Sequence, residues 1–180
     1  AEFERGVLKR KKEGKAPEEK DGTFISFHPD PQIFPDFHYL DDIIEERLWS
    51  YAYLNTGLTI TYNKMLIKSQ NGLLDLLSKK LGSEGLYPTL HYKNDHLEFA
   101  FTHTSGYGEN YFSFVNGQNT TDGGTHLAAF KEGVLKGINE FFRKSWQAPE
   151  IRDGIAAAVA IKMQNPVFES QTKNKLGSTE

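Results

Sequence analysis

Hydrophobic positions change their spacing several times along the chain, and each change predicts a different element. Between residues 40 and 52, apolar side chains recur every three or four residues, which is typical of a helix with one buried stripe. Asp41 and Asp42 suit the positive N-terminal end of that helix, and Gly57 follows where a left-handed cap is needed. The predicted stripe consists of Leu40, Ile43, Ile44, Leu48, Tyr51 and Ala52.

A hairpin and a second, shorter helix are predicted next. Apolar runs on both sides of Asn63-Lys64 indicate two strands that turn at this dipeptide. Asn71 is placed to cap a helix over Gly72 to Leu81, which Gly82 ends. The two predicted strands run from Leu58 to Tyr62 and from Met65 to Ser69.

The middle of the chain predicts an antiparallel pair of strands. Large apolar side chains alternate with smaller or polar ones from Leu97 to Thr104, which is the period of a half-buried strand. The segment Gly106 to Asn110 can turn the chain back into a second strand, Tyr111 to Val115. The predicted pair therefore presents an aromatic-rich face.

A long helix and a buried strand dominate the second half of the chain. A Gly-rich loop, Asn116 to His126, leads into a helix of about five turns that Thr125 or a neighbour can cap. The strand from Ile155 to Met163 has alanines at alternate positions, so one of its faces is small enough for a helix to approach closely. These elements predict an α+β architecture, with a sheet on one side and helices on the other. The apolar side of the long helix carries Leu127, Phe130, Val134, Ile138 and Phe141.

The first 27 residues have a different character. Phe3 to Leu8 and Thr23 to Phe27 are predicted as short strands, and Lys9 to Lys12 form a basic run between them. Because acids follow this run at once, a solvated hairpin loop is favoured over a nucleic-acid patch. Two strands alone are only marginally stable, so we expect them to belong to a larger sheet. The acids are Glu13, Glu18, Glu19 and Asp21.

Composition narrows the class of protein. The chain has 180 residues, of which 38% are hydrophobic, so one domain with a smaller appendage is expected. A net charge of -3 argues against wholesale coating of nucleic acid. The absence of cysteine excludes disulfides and thiolate metal sites and fits a reducing cytoplasm. No secretory signal is visible, and the longest apolar run, Ile155 to Ile161, is far shorter than the roughly 20 residues of a membrane helix. Both ends are expected to be cuts through a longer protein, because the chain opens at Ala1 without a methionine.

Common catalytic and metal-binding motifs are missing from the sequence. The six histidines lack the His-Glu-x-x-His spacing, so no metal site is predicted, and His103 and His126 are expected to be structural. Gly14-Lys15 lacks the upstream glycine of a P-loop, and no serine lies in a Gly-x-Ser-x-Gly turn. The residues alone therefore do not make up a complete active site.

A polar loop close to the C-terminal end, Gln171-Thr172-Lys173, allows two interpretations. One is a polar tail that leads out of the domain. The other is a phosphate sensor, in which the Gln171 amide donates a hydrogen bond and Lys173 brings a point charge to phosphate oxygens. Residue types alone favour the polar tail.

Four stretches of the sequence resemble the transducer domain of the B subunits of bacterial type IIA topoisomerases. The resemblance covers essentially the whole chain in the right order, and the Gln-Thr-Lys loop is specific. The run Asn116-Gly117-Gln118 is more similar to the topoisomerase IV branch of this family than to the gyrase branch. The four stretches are Gly22 to Pro29, Tyr53 to Gly57, Phe114 to Phe130 and Asn165 to Gly177.

The resemblance implies two domains and a nucleotide contact. Residues 1–28 would be the last strands of a GHKL-type ATPase domain. Residues 29–180 would be a transducer domain similar to domain 2 of ribosomal protein S5, with a mixed sheet and a left-handed βαβ crossover, against the usual preference. Gln171 and Lys173 match the motif that contacts the γ-phosphate of ATP in this family. ATP and Mg²⁺ would be bound mainly by the ATPase domain.

The implied activity is that of an ATP-hydrolysing DNA topoisomerase, an isomerase that relaxes and decatenates DNA in the bacterial cytoplasm. The chain alone is expected to be inactive. The implied partners are double-stranded DNA, a second copy of the same subunit, and the A subunits of topoisomerase IV in an A2B2 heterotetramer. Lys131 matches a position where relatives carry a basic residue facing DNA, and an ordinary solvated lysine is the equal alternative.

Two other functions stay open. The nearer one is the B subunit of gyrase, which would introduce negative supercoils. The more distant one is a non-enzymatic module of S5-like fold that interacts with nucleic acid or protein. It predicts a basic, aromatic-lined surface, which the net charge of -3 does not favour.

Overall fold

A computed structural model describes residues 1–15, 17–18 and 20–179. Ala16, Glu19 and Glu180 lie outside the described residues, and with them one acid of the predicted N-terminal loop. The strands are β1 (Glu2–Glu4), β2 (Val7–Arg10), β3 (Thr59–Tyr62), β4 (Met65–Lys68), β5 (Leu90–Lys93), β6 (Leu97–His103), β7 (Asn110–Val115), β8 (Gln118–Asn119) and β9 (Ile155–Ile161). The helices are α1 (Asp41–Leu54), α2 (Leu73–Leu81), α3 (Thr125–Phe142) and α4 (Ala148–Arg152). None of the helices in the described part of the chain has the length and apolar character needed to cross a membrane.

The chain divides into two compact units, Ala1–Asp41 and Asp42–Glu180. In the first unit, β1 and β2 form a hairpin that turns at Arg5 and Gly6, whose φ angles are 48° and 77°. The prediction of one strand over Phe3 to Leu8 is therefore wrong, because two consecutive left-handed residues reverse the chain. Thr23 to Phe27 was also predicted wrongly as a strand, since this segment pairs with no strand in the described residues and its Phe24 side chain is 91% exposed.

Five strands of the second unit form a mixed sheet in the order β5-β6-β9-β7-β8. The central strand β9 is antiparallel to β6 and parallel to β7. Phe101 of β6 and Tyr111 of β7 pair with Ala157 from opposite sides, so the predicted direct pairing of these two strands is wrong. A strand that is apolar on both faces is suited to the centre of a sheet, which is where β9 lies.

Helices pack on both faces of this sheet. On one face, Ala100 and Ala158 lie beneath Leu73 and Leu77 of α2. On the other face, Phe101, Ile155 and Ala157 are packed against by Phe130 and Val134 of α3. The predicted α+β class with a mixed sheet is confirmed, whereas the prediction of helices on one face only is wrong. The small side chains that were predicted to admit a helix do admit α2, and the large ones on the opposite face are covered by α3.

The predicted helix α1 and the hairpin of β3 and β4 are confirmed, and the turn residues Asn63 and Lys64 have left-handed φ angles. The predicted stripe of α1 is only partly buried. Ala52 and Tyr53 are its buried residues, whereas Ile43 is 63% exposed. The contacts of α1 with the core therefore lie at its C-terminal end.

Helix α2 begins differently from the prediction. Its N-cap is Gly72, and no side chain caps it from that position. Asn71 instead donates its backbone and side-chain N–H groups to Asp75. The first free N–H of the helix, that of Leu73, donates to Oε1 of Glu98 at 2.8 Å. A carboxylate from a neighbouring strand thus takes the place of the predicted asparagine cap.

Helix α3 belongs to the crossover that joins the parallel strands β7 and β9. Thr125 was predicted as a possible cap, but the N-cap is Gly124 and no side chain bonds from that position. The Thr125 hydroxyl donates instead to the carbonyl of Ser178. The left hand of the crossover stays a prediction. Strands β5 and β8 and the short helix α4 were not predicted.

Candidate functional site

Residues 168–176, here called the Gln-Thr-Lys loop, fold back on themselves as a tight hairpin. Phe168 and Leu176 face each other in an antiparallel bridge at the base of the loop. The N–H of Glu169 donates to the carbonyl of Lys175 at 3.0 Å, and the N–H of Gly177 donates to the carbonyl of Val167 at 2.8 Å. These bonds leave residues 171–173 at the tip.

The tip is a turn with its own local hydrogen bonds. Lys173 has a left-handed φ of 58°, and its N–H donates to the carbonyl of Ser170 at 3.0 Å. The hydroxyls of Ser170 and Thr172 lie 2.7 Å apart. These bonds use backbone groups and hydroxyls, so the longer side chains at the tip are left to point outward.

The two lysines of the loop differ in their charge environment. Lys175 lies in an ion pair with Glu169, with Nζ 2.9 Å from Oε1. Lys173 has no carboxylate within 4.0 Å, and the Gln171 amide makes no hydrogen bond, among the residues that the structure describes. Both of these predicted site residues are exposed. The tip therefore presents an unneutralised ammonium and an unused amide donor, the two groups that an anion such as a terminal phosphate accepts from.

The base of the loop is held by the Gly-rich segment before α3. Leu176 is 2% exposed and lies in a parallel bridge with Gly124. Its N–H donates to the carbonyl of Gly123 at 3.1 Å, and its carbonyl accepts from the N–H of Thr125 at 3.1 Å. Sequence reasoning singled out the Gly-rich segment but missed that it binds this loop. The clustered glycines were the available signal, since they mark a close approach of two backbones.

The two histidines that were predicted to be structural are held by the fold. His103 bonds through both ring nitrogens, to the Tyr87 hydroxyl and to the carbonyl of Ile151, each at 2.6 Å. His126, in the first turn of α3, lies 3.3 Å from the Thr120 hydroxyl through Nε2, and its Nδ1 has no partner among the described residues. Burial lowers the pKa of His126 to about 4, because a protonated ring would bury both a charge and an unsatisfied donor.

Lys131 lies on α3, away from the tip of the Gln-Thr-Lys loop. Its Nζ is 2.8 Å from Oε2 of Glu109 and 4.1 Å from the ring centroid of Tyr111. Arg152 approaches the same carboxylate, with Nε 3.3 Å from Oε1. The Lys131 side chain is 28% exposed, so it is not an ordinary solvated lysine.

Burial and the nearby charges together set the protonation of Glu109 and Tyr111. Burial alone would raise the pKa of Glu109, but the contacts with Lys131, Tyr111 and Arg152 leave it below its ordinary value. Burial, together with the nearby Glu109 carboxylate, raises the pKa of Tyr111. Glu109 is therefore ionised at neutral pH and offsets part of the positive charge at Lys131.

In the described ranges, no group of three or more His, Asp or Glu side chains comes together in a way that could hold a metal ion. Among the predicted site residues, Gln171 and Lys173 share the loop tip, whereas Lys131 lies in a separate cluster with Glu109.

Comparison with known proteins identifies the family. The model of the family described as DNA gyrase B matches residues 60–180. The chain is 47% identical over 179 residues to the B subunit of DNA topoisomerase 4 from Borreliella burgdorferi, which covers 99% of this chain and 30% of that protein. It is 33% identical over 189 residues to the B subunit of DNA gyrase from Thermotoga maritima, covering 90% of this chain and 30% of that protein. The chain thus spans under a third of the length of these relatives.

Solved structures agree with this assignment. The 43K ATPase domain of Thermus thermophilus gyrase B, in complex with an aminocoumarin, has a TM-score of 0.67 at 27% identity, over 83% of this chain and 46% of that one. The ATPase region of Saccharomyces cerevisiae topoisomerase II has a TM-score of 0.68 at 26% identity, over 83% of this chain and 40% of that one. With the family model covering most of the chain and the relatives aligned along nearly all of it, the chain belongs to the DNA gyrase B family, the B subunits of type IIA DNA topoisomerases.

Proposed function

We propose that this chain is part of the ATPase subunit of a type IIA DNA topoisomerase, and that the tip of its Gln-Thr-Lys loop senses the γ-phosphate of ATP. The observation that carries the proposal is the pair of unused donors, Lys173 and Gln171, on a loop whose base is fixed. One relative is named as a subunit of a topoisomerase and another as a subunit of a gyrase, and two similar structures are named as ATPase regions, which supports the same function.

The tip residues fit a terminal phosphate but not a metal ion. An ammonium and an amide N–H are both donors, and a phosphate oxygen accepts from either. Mg²⁺ needs oxygen ligands, and no cluster of acidic side chains in the described residues offers them. We assign Mg²⁺ and most nucleotide contacts to an ATPase domain, of which residues 1–28 would be the last strands, with residues 29–180 as the transducer domain.

The contact would act as a switch. Bound ATP supplies a terminal phosphate that hydrolysis removes. Lys173 and Gln171 hold that anion by charge-assisted hydrogen bonds, each worth roughly 1.5 to 3 kcal/mol. A bias of that size shifts a two-state equilibrium by about one to two powers of ten. The loop would thus hold the transducer domain in one orientation before hydrolysis and release it afterwards.

The wider assembly follows from the same assignment. We propose a dimer of B subunits that captures a DNA duplex and works with two A subunits in an A2B2 heterotetramer. The chain is 47% identical to its topoisomerase 4 relative and 33% identical to its gyrase relative, which favours topoisomerase IV. We also propose that Lys131 faces DNA, since Glu109 and Tyr111 hold it at the protein surface with part of its side chain exposed.

Substitution of Lys173 in the full-length protein tests the sensing role. Lys173→Ala should leave nucleotide-dependent dimerisation largely intact and lower the ATP turnover rate by about ten- to a hundredfold, the effect of losing one or two charge-assisted contacts. Lys175→Ala is the matched control, because Lys175 is two residues away and its charge is paired with Glu169. Turnover that is unchanged in Lys173→Ala, or reduced equally in both variants, would contradict the sensor.

An assay of the holoenzyme is needed to distinguish topoisomerase IV from gyrase. When the full-length protein is combined with its A-subunit partner, we expect ATP-dependent relaxation and decatenation without negative supercoiling. Negative supercoils introduced into relaxed plasmid would assign the protein to gyrase instead.

A further inference from the structure

The Gly-rich segment before α3 grips the base of the Gln-Thr-Lys loop on several successive residues. Besides the two bonds of Leu176, the N–H of Asp122 donates to the carbonyl of Asn174 at 3.0 Å. The hydroxyl of Thr125 donates to the carbonyl of Ser178. The first turn of α3 and the residues just before it therefore hold one side of the loop from its base almost to its tip.

The close approach of these two segments requires glycine at position 124. Gly124 has a φ of 132°, and a β-carbon there would lie 2.5 Å from both the backbone N and O of Leu176. Backbone atoms cannot swing aside as the end of a side chain can, so any other residue must push the two segments apart. Gly133 and Gly137, farther along α3, have no atoms within 4 Å of such a β-carbon.

The loop base is hydrogen-bonded directly to the start of α3, whereas the middle of α3 packs on the sheet through Phe130 and Val134. His126 is the buried residue of this 18-residue helix. A groove of about 870 Å³ opens between α3 and the sheet, lined by residues that include Phe99, Val134 and Val159. The start of α3 therefore contributes directly to the position of the loop tip.

We propose that Gly124 and Leu176 are positioning residues for Lys173. Their contact fixes where the ammonium of Lys173 meets the terminal phosphate. The inference rests on the proposed sensing role of Lys173. Ordinary contact needs about 3.4 Å, so a β-carbon at position 124 displaces the loop base by about 1 Å. A hydrogen bond that is lengthened by about 1 Å is outside hydrogen-bond range, so the contact of the tip with the phosphate would be lost.

The test measures nucleotide affinity rather than turnover, in the full-length protein. Dissociation constants for a nonhydrolysable ATP analogue and for ADP are determined by calorimetric titration. Gly124→Ala should weaken binding of the analogue by about ten- to a hundredfold and leave ADP affinity unchanged, because ADP has no γ-phosphate for the tip to hold. Gly133→Ala, a glycine substitution in the same helix with open space around it, should change neither affinity.

A double variant separates the two hypotheses. Once Lys173→Ala has removed the lysine contact, adding Gly124→Ala should reduce the preference for the analogue over ADP by clearly less than it does in the wild type, because only the Gln171 contact is left to displace. A reduction as large as that in the wild type, or an equal loss for both nucleotides in Gly124→Ala alone, would overturn the positioning role. A preference unchanged by Lys173→Ala itself would overturn the sensor, and the inference with it.

A milder variant covers the case in which Gly124→Ala does not fold. Thr125→Val removes the hydroxyl bond to Ser178 and retains the helix start. A several-fold loss of analogue affinity with unchanged ADP affinity is expected, since one of the bonds at the loop base is lost. Unchanged affinity for both nucleotides would contradict the positioning role of the loop base.

Discussion

The tip and the base of the Gln-Thr-Lys loop are only a few residues apart and have opposite environments. At the tip, Gln171 and Lys173 are exposed and make no side-chain bond with the described residues. At the base, Leu176 is buried and hydrogen-bonded to the start of α3 on both sides. An anion can be recognised only by donors that are still free, whereas a donor is placed reproducibly only by a segment that is fixed. The loop divides these two requirements between neighbouring residues.

The same contrast separates the lysines. Among the described residues Lys173 has no carboxylate partner, whereas Lys175 and Lys131 are paired with Glu169 and Glu109. A paired lysine binds a new anion less strongly, because the existing ion pair must first be broken. Position on the surface therefore does not by itself identify a lysine as a phosphate sensor. Whether a carboxylate already neutralises its charge decides this.

The largest expected effect comes from emptying the base. Leu176→Ala removes a fully buried side chain and should lower the free energy of unfolding of the chain by about 2 to 5 kcal/mol. Urea unfolding followed by circular dichroism measures this loss. Val167→Ala is the control, because Val167 is 64% exposed in the same region and its truncation should change stability by less than about 0.5 kcal/mol. Equal losses in the two variants would mean that the base is not the anchor.

Low pH should destabilise the fold at the base of the Gln-Thr-Lys loop through His126. Its folded-state pKa is about 4, below its ordinary value of 6.5, so between these pH values the unfolded chain binds a proton that the folded chain does not. Stability should therefore fall as the pH is lowered from 6.5 towards 4, by up to roughly 3 kcal/mol. Unfolding titrations of the wild type and of His126→Gln measure the difference, and the variant should show a flatter profile. Parallel profiles would show that His126 does not titrate in this way.

Lys131 sharpens the comparison between paired and free lysines. If it faces DNA, Lys131→Ala should lower the slope of log affinity against log salt by about 0.9, the share of one phosphate contact. Filter binding of the full-length protein to duplex DNA at several salt concentrations gives this slope. Lys136→Ala is a suitable control, since Lys136 is on the same helix and pairs with the exposed Glu132. An unchanged slope in Lys131→Ala would indicate that Glu109 keeps the lysine occupied.

Much of the fold was predictable because hydrophobic spacing reports which elements form. It predicted α1, the hairpin at Asn63-Lys64, β6, β9 and α3, and the glycine that ends α2. Spacing does not report which strands become neighbours, so β9 was not predicted to lie between β6 and β7. Glu98 gives a second reason for failure. Its carboxylate is buried, accepts the N–H of Leu73 and pairs with Lys93, and hydrophobic spacing carries no signal for such polar contacts.

The candidate site was predictable in one part only. Gln171 and Lys173 were found through the resemblance of their motif, since residue types alone favoured a polar tail. Gly124 and Leu176 were missed because their contact joins backbone atoms that are 52 positions apart, and backbone bonds carry no residue signature. The glycine pattern showed that two segments meet closely, without showing which segments they are.

The smallest expected effect lies at the tip. The charge of Lys173 matters for nucleotide sensing but should contribute almost nothing to the stability of the fold. Lys173→Ala removes an exposed side chain with no partner among the described residues, so the free energy of unfolding should change by less than about 0.5 kcal/mol. Lys175→Ala breaks an exposed ion pair with Glu169 and should cost at most about 1 kcal/mol. Urea unfolding of both variants at low salt measures these differences. A loss in Lys173→Ala larger than that in Lys175→Ala would mean that Lys173 stabilises its own domain, and a lysine bound there is not free to meet a phosphate.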